Sequence, residues 1–486
     1  MAVSDATPKP PQRDTRPPDP PDIGSQLREE PHERYRRLPT GTHGLDPEAV
    51  KRDQRERLQQ AMIELIAKKG YQGVRIVDLA KLAHVSQPTF YDLYADKEDL
   101  LVSAYDQIAQ RAARTIMRAY DVSADGRLLA GMSAFAELAV AEPEEMSLFV
   151  LGAFGAGAKA LEHRRRSLET LEAGIRASRD GADAQDSSDL TVKAVLGGAR
   201  EVIAARLREG REDELVRRSD ELTAWAASYP RRLPDGLGAP ATTRPPGSGN
   251  TGTQASERAR RAEGRLPSGR SDMPRQVIVK SQRERIVDAT AAIVAEKGLP
   301  ALTIPEIAKR ANVSHQTFYD IYASKRDAFL GAQKIGMHQA LQITVKAYEA
   351  VEADWPRAVA SGLRALIDYL ASEPAHAHLS IVDTFASSPE ATEIRNTALH
   401  AFAAYLGPGY ELVDREVPAI AAEAIAGGIW QVLYHYVEHD CVSELPGAAP
   451  QIIYIALTPF LGPEQATRVA RSPLGDRSGA AERDGA

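Results

Sequence analysis

A single cysteine, Cys441, stands in a chain of 486 residues. That excludes a disulfide within the chain and a zinc site built from several thiolates. No apolar run approaches the roughly 20 residues that a helix needs to cross a bilayer, so no membrane partner is expected. Strand-like alternation is missing, as are a nucleophile elbow, a P-loop and a dinucleotide fingerprint. Neither an enzyme nor a cofactor is expected from such a chain. Residues 1–49 are rich in proline and charge and lack the apolar core of a secretory signal, which reads as a disordered tail on a cytoplasmic protein. Excess basic charge is lacking too: the formal net charge is −7. Any attraction for nucleic acid must therefore be local.

What is there is a globular composition, 43% hydrophobic and 26% charged, in a chain long enough for roughly two to four domains. One unit occurs twice. Gln54 onward reads QRERLQQAMIELIAKKGYQGVRIVDLAKLAHVSQPTFYDLYADKED, and Gln282 onward reads QRERIVDATAAIVAEKGLPALTIPEIAKRANVSHQTFYDIYASKRD, aligned without a gap at an offset of 228 with roughly half the positions identical. Further on, AVAEPEEMSLFVLGAF around Pro143 matches LASEPAHAHLSIVDTF around Pro374 at an offset of 231, pairing Phe154 with Phe385. Gly197-Gly198 then falls opposite Gly427-Gly428 at an offset of 230. A repeat of this quality implies a shared fold. The division that follows is a head over 50–101, a body over 102–229, a flexible linker over 230–274, a second head over 275–330, a second body over 331–462 and a disordered tail over 463–486. The segment from Ser256 to Arg285 carries nine Lys/Arg against four Asp/Glu; it is either a basic arm or a solvated linker.

Each head reads as three helices. Leu58, Met62, Leu65 and Ile66 form one apolar stripe, matched by Ile286, Thr290, Ile293 and Val294. Gly70 and Gly298 stop that first helix. A short second helix follows, Ile76 to Ala83 or Ile304 to Ala311, with Thr303 a good N-cap and Arg75 a poor one. The corner after it falls on His84 or Asn312, residues that tolerate positive φ. Ser86 and Ser314 cap the third helix, whose inner face takes Phe90, Leu93 and Tyr94. Gln87, Pro88, Tyr91 and Asp92 point outward, and an outward tyrosine suits the wall of a major groove. Lys97 and Lys325 open a fourth helix behind the caps Asp96 and Ser324, where ammonium and positive helix end can converge on one phosphate.

Both copies carry V-S-x-x-T-F-Y-D-x-Y-A-x-K, and over the whole of both heads the chain resembles the tetracycline-repressor (TetR) family. The resemblance implies an all-α fold of two units, each a helix-turn-helix head on a helical regulatory body. It implies phosphate contacts from Thr89, Tyr91 and Lys97 and from Thr317, Tyr319 and Lys325. Gln87 and Pro88, or His315 and Gln316, would face base edges, and the caps Ser86, Ser314 and Thr303 complete the DNA-binding set. Two features depart from the family: His84 or Asn312 stands where its turn usually has glycine, and Asp92 or Asp320 puts a carboxylate near the DNA.

The bodies are rich in alanine and leucine at helical spacings. A mid-helix glycine costs about 1 kcal/mol against alanine, so the two Gly-Gly pairs are either a close seam between helices or a local kink. The resemblance implies an apolar effector pocket, for which Phe385, Tyr405, Trp430, Tyr434 and His435 are candidates. His435 and His439, four apart on a helix, have a metal-binding spacing but no accompanying catalytic motif. The leading expectation is a ligand-responsive transcriptional regulator, a repressor, that binds double-stranded operator DNA and a small-molecule effector. One alternative is a small-molecule- or partner-binding protein whose heads, the first especially, no longer bind DNA; another is a metal sensor. A linker of about 44 residues spans roughly 35–40 Å as a coil. The two bodies can then pair within one chain as a pseudo-dimer; a homodimer is the competing arrangement.

Overall fold

The computed structural model describes residues 46–122, 127–151, 158–180, 190–238, 275–351, 354–382 and 389–472. Among these, helices account for every regular element, and none is long and apolar enough to cross a membrane. Unit one comprises α1 (Pro47–Gly73), α2 (Ile76–Leu82), α3 (Gln87–Leu93), α4 (Lys97–Val122), α5 (Arg127–Ala141), α6 (Pro143–Leu151), α7 (Ala158–Asp180), α8 (Thr191–Glu209) and α9 (Glu214–Ala227). Unit two repeats the order with α10 (Arg275–Lys297), α11 (Ile304–Ala311), α12 (His315–Ile321), α13 (Lys325–Glu349), α14 (Trp355–Ser372), α15 (Pro374–Ile381), α16 (Pro389–Leu406), the one-turn α17 (Gly409–Leu412), α18 (Ala421–Glu438) and α19 (Leu445–Leu461). A further helix, α20 (Pro463–Arg471), packs on α19 and buries Ala466 and Ala470. The second body therefore runs past residue 462, where the sequence placed a disordered tail: two small residues four apart gave too weak an apolar signal. Leu237, assigned to the linker, is likewise buried in the core.

The expected stripes line the head cores: Leu58, Met62 and Phe90 are buried in one, Ile286, Thr290, Ile293 and Phe318 in the other. Gly70, at φ 66°, breaks α1 before its last turn, and Gly298, at φ 76°, ends α10 ahead of a single 3-10 turn. The first head shares a core with part of its body, whereas the buried core of the second head takes in, beyond α13, only Leu379 and Ala391 of its own. Helix α6 bridges α1 and α8, and α15 bridges α10 and α18.

The bodies meet where α8 lies against α18. A methyl added at Gly197 would overlap the Cβ of Gln431, and one at Gly427 would overlap the Cβ of Glu201. One at Gly198 would run into the carbonyl oxygen of Ala424 and the Trp225 ring; one at Gly428 would sit 2.6 Å from the carbonyl oxygen of Ala194. Apart from the Trp225 ring, each contact recurs with the roles of the units exchanged, as a two-fold interface requires. The mid-helix glycines are thus the condition for two backbones to approach this closely. Around them Arg206 forks onto both carboxylate oxygens of Glu423 at 2.8 and 2.9 Å, and Arg200 donates to Gln431 Oε1 at 2.9 Å. Arg395 donates to Glu201 at 2.6 Å with both side chains buried. Burial alone would raise the Glu201 pKa, but Arg395 and Arg208 hold it down at about 2. The Tyr229 hydroxyl donates to the carbonyl of Ile455 at 2.9 Å.

Gly198→Val is expected to destabilise the protein by about 1–3 kcal/mol through overpacking of the seam. Gly73→Ala, whose added methyl meets only the flexible Lys69 side chain, should stay within about 0.5 kcal/mol of wild type. Thermal unfolding followed by circular dichroism checks both; equal melting temperatures for Gly198→Val and wild type would mean the helices can separate freely.

Candidate nucleic-acid interface and effector pocket

Local chemistry positions α3 and α12. The Ser86 hydroxyl accepts from the Thr89 amide at 3.1 Å and the Ser314 hydroxyl from the Thr317 amide at 3.0 Å. Each thus satisfies a free amine-end donor of its helix. The same hydroxyls lie 2.7 and 2.9 Å from the side chains of Thr89 and Thr317. Thr303 caps α11 through the Glu306 amide at 3.4 Å, whereas Arg75 makes no side-chain cap on α2. His84 and Asn312 take φ of 52° and 51°, the left-handed corner expected of them.

The outward faces are as the spacing predicts. Tyr91 is 57% exposed and Tyr319 55%, beside exposed Gln87 and Pro88 in one head and exposed His315 and Gln316 in the other. Inside, Phe90 and Phe318 are fully buried, each with its neighbouring tyrosine ring set edge-on. The heads differ in detail at the carboxylate. In the second, Gln316 Nε2 donates to Asp320 Oδ1 at 3.0 Å, so this acid orients the base-facing amide; Pro88 leaves Asp92 no such donor.

Both fourth-helix lysines bond to backbone carbonyls of their own head, Lys97 half-buried and Lys325 exposed. Lys97 Nζ donates to the carbonyls of Tyr71 and Val74 at 3.3 and 3.2 Å and lies 4.3 Å over the Tyr71 ring, and burial lowers its pKa. Lys325 Nζ donates to the carbonyl of Leu302 at 2.9 Å. In this state both ammonium groups tie the fourth helix to the connection before the second. An ammonium has three donors, so an outward phosphate can still be shared.

Sequence reasoning passed over one pair. Arg57 donates to the carbonyl of Ala83 at 2.6 Å and to Asp53 at 2.9 Å, and Arg285 donates to the carbonyls of Ala311 and Asn312 at 2.9 and 3.0 Å. Each guanidinium thus holds the turn from the first helix. The signal was in plain view, since QRER opens both copies unchanged.

In the second body α13, α14, α15, α16 and α18 enclose a mostly apolar cavity of about 750 Å³, counting its mouth, with walls that include Met337, Leu341, Leu366, Phe402 and Trp430. Of the sequence candidates, Trp430 lines it. Tyr405 packs instead on Tyr348, ring centroids 5.0 Å apart. Tyr434 lies at the seam under the Arg164 guanidinium and donates to Glu438 at 3.2 Å. His435 stacks near His439 at 4.3 Å between ring centroids; burial, then Lys193 and His439, push it down to about 2, so the ring is neutral. No group of three metal-ligating side chains occurs among the described residues. Phe385 lies outside the described residues.

Residues 60–104 and 286–331 match the family described as "Bacterial regulatory proteins, tetR family". The chain carries two TetR-family heads. No curated protein sequence matches it at a significant level. Two solved structures are similar over 35% of this chain and 96% of their own, each with a TM-score of 0.32. They are the transcriptional regulator FadR from Bacillus subtilis in complex with stearoyl-CoA, 18% identical, and the fatty acid degradation regulator FadR from Bacillus halodurans, 16% identical.

Replacing Arg285 by Met would strip the turn carbonyls of their donor and should cost about 1–3 kcal/mol, whereas the exposed Arg283→Met should cost under about 0.5 kcal/mol. Denaturant unfolding of the full chain compares the two; equal midpoints would remove Arg285 from this role.

Proposed function

We propose that this protein is a ligand-responsive transcriptional regulator, a repressor, that grips an asymmetric operator with both TetR-family heads while its two bodies pair within one chain. The observation that carries the reading is the outward face of α3 and α12. Each presents a tyrosine more than half exposed beside two exposed residues at the amine end of a serine-capped helix. An outward tyrosine there fills no core space, and its hydroxyl and ring edge suit a phosphate and a groove wall. The base-facing residues differ, Gln87-Pro88 against His315-Gln316, so the two half-sites differ in sequence.

Charge at the seam favours pairing of unlike bodies. Glu201 of the first body faces Arg395 of the second, while the repeat puts Gln431 at the position of Glu201 and Arg164 at that of Arg395. Two second bodies paired together would bury Arg395 against glutamine on both sides. Removing one partner of a buried pair costs about 3–5 kcal/mol. Within one chain the linker supplies the right partner at an effective concentration near millimolar.

Tyr319→Phe should weaken binding to every DNA sequence, because a phosphate contact carries no sequence information. His315→Ala and Gln316→Ala should each relax the preferred motif, at about 1–3 kcal/mol for a well-formed hydrogen bond to a base edge. Selection from a random DNA pool, followed by mobility shifts, reads both; an unaltered motif in the alanine variants removes α12 from base reading. Light scattering should give the mass of one chain, and the selected site should lack two-fold symmetry. A stable two-chain particle on a perfect palindrome would sink the pseudo-dimer.

A further inference from the structure

The cavity of the second body ends at a polar point. His376, on α15, is only 3% exposed, and its Nε2 bonds to Asp288 Oδ1 at 3.0 Å. Asp288 sits on α10, the first helix of the DNA-binding head. A carboxylate only accepts, so Nε2 carries the proton of this bond, and a ring bearing that one proton presents a lone pair at Nδ1. Nδ1 is buried, has no hydrogen-bond partner among the described residues, and belongs to a residue that lines the cavity. Gly336 keeps this end open: a methyl there would lie 2.9 Å from Ser380 Oγ and 3.7 Å from His376 Nδ1.

The first body is built differently at the same positions. The repeat places Ile108 at Gly336, Phe149 at Ser380, Glu145 at His376 and Gln60 at Asp288. Ile108 and Phe149 are buried in one apolar cluster with Tyr105, whose ring lies 5.7 Å from that of Phe149. Glu145 turns to Arg111. Bulkier apolar side chains thus stand where Gly336 and Ser380 open the second body, and the imidazole acceptor is gone.

We infer that the chain binds one effector, in the second body alone: an apolar molecule with a single hydroxyl-type donor that pairs with His376 Nδ1. An apolar wall selects the body of such a ligand, and a buried acceptor left unpaired selects its donor. The same imidazole touches ligand and head, so an occupied Nδ1 is felt at Asp288 on α10. Specificity for the donor and control of the head are then one hydrogen-bond chain.

The test is calorimetric titration of the full chain, without DNA, using n-decanol and its methyl ether. Decanol should bind at one per chain, and the ether about tenfold or more weaker, the change expected when the buried acceptor stays unpaired. His376→Leu should erase the difference between the two probes, and Gly336→Ala should weaken decanol binding, each in a protein whose circular dichroism is unchanged. Two decanols per chain, no binding, an ether as tight as the alcohol, discrimination that survives His376→Leu, or decanoate binding more tightly than decanol would overturn the inference. Its regulatory meaning rests on the effector reading above, yet the two fail separately. A titration without binding leaves the DNA measurements standing, and a chain that binds no DNA can still show the single site.

Discussion

The close passage of α8 against α18 is the contact on which the rest of the molecule depends. Four glycines remove the side chains that would keep these helices apart, and carbonyl oxygens of Ala194 and Ala424 occupy the space. At that distance the flanking side chains of the two units interdigitate. Trp225, Val202 and Leu222 of the first unit join Ile425, Ile429 and Tyr454 of the second in one core. The Glu201–Arg395 pair is buried beside this contact. Glycine in mid-helix is unfavourable by about 1 kcal/mol, and the packing and hydrogen bonds gathered at this seam offset that cost.

Duplication kept the inward parts and freed the outward ones. Both heads retain the serine cap, the buried phenylalanine, the arginine that holds the turn and the lysine that ties down the fourth helix. These positions are constrained by geometry within the unit, and any change to them is felt by a packed neighbour. Surface positions such as Gln87 and His315 have no such neighbour. The bodies diverged by the same logic in reverse: Phe149 and Ile108 close the first, whereas Ser380 and Gly336 leave the second open. A cavity forfeits dispersion attraction along its wall.

Much of this was legible in the chain. Helical heads, their caps, the positive-φ corner and the outward tyrosines follow from residue type and spacing, because such interactions span no more than four residues and need no knowledge of the rest of the fold. The repeat itself announced two units. Even the seam was foreshadowed, since glycine pairs inside helices ask for a close neighbour. Contacts between residues far apart in sequence were another matter. That Lys97 turns inward to Tyr71, that Tyr434 and His435 sit apart from the cavity that Trp430 lines, and that Pro463–Arg471 continues the body are all decided by the packing of neighbouring helices. His376 is the plainest example. Nothing local distinguishes it from His378 two residues on; only the docking of α15 between α10 and α18 sets one nitrogen against Asp288 and leaves the other facing an apolar space. Short-range periodicity encodes which face of a helix is buried, whereas the identity of what lies against that face depends on how all the helices share one volume.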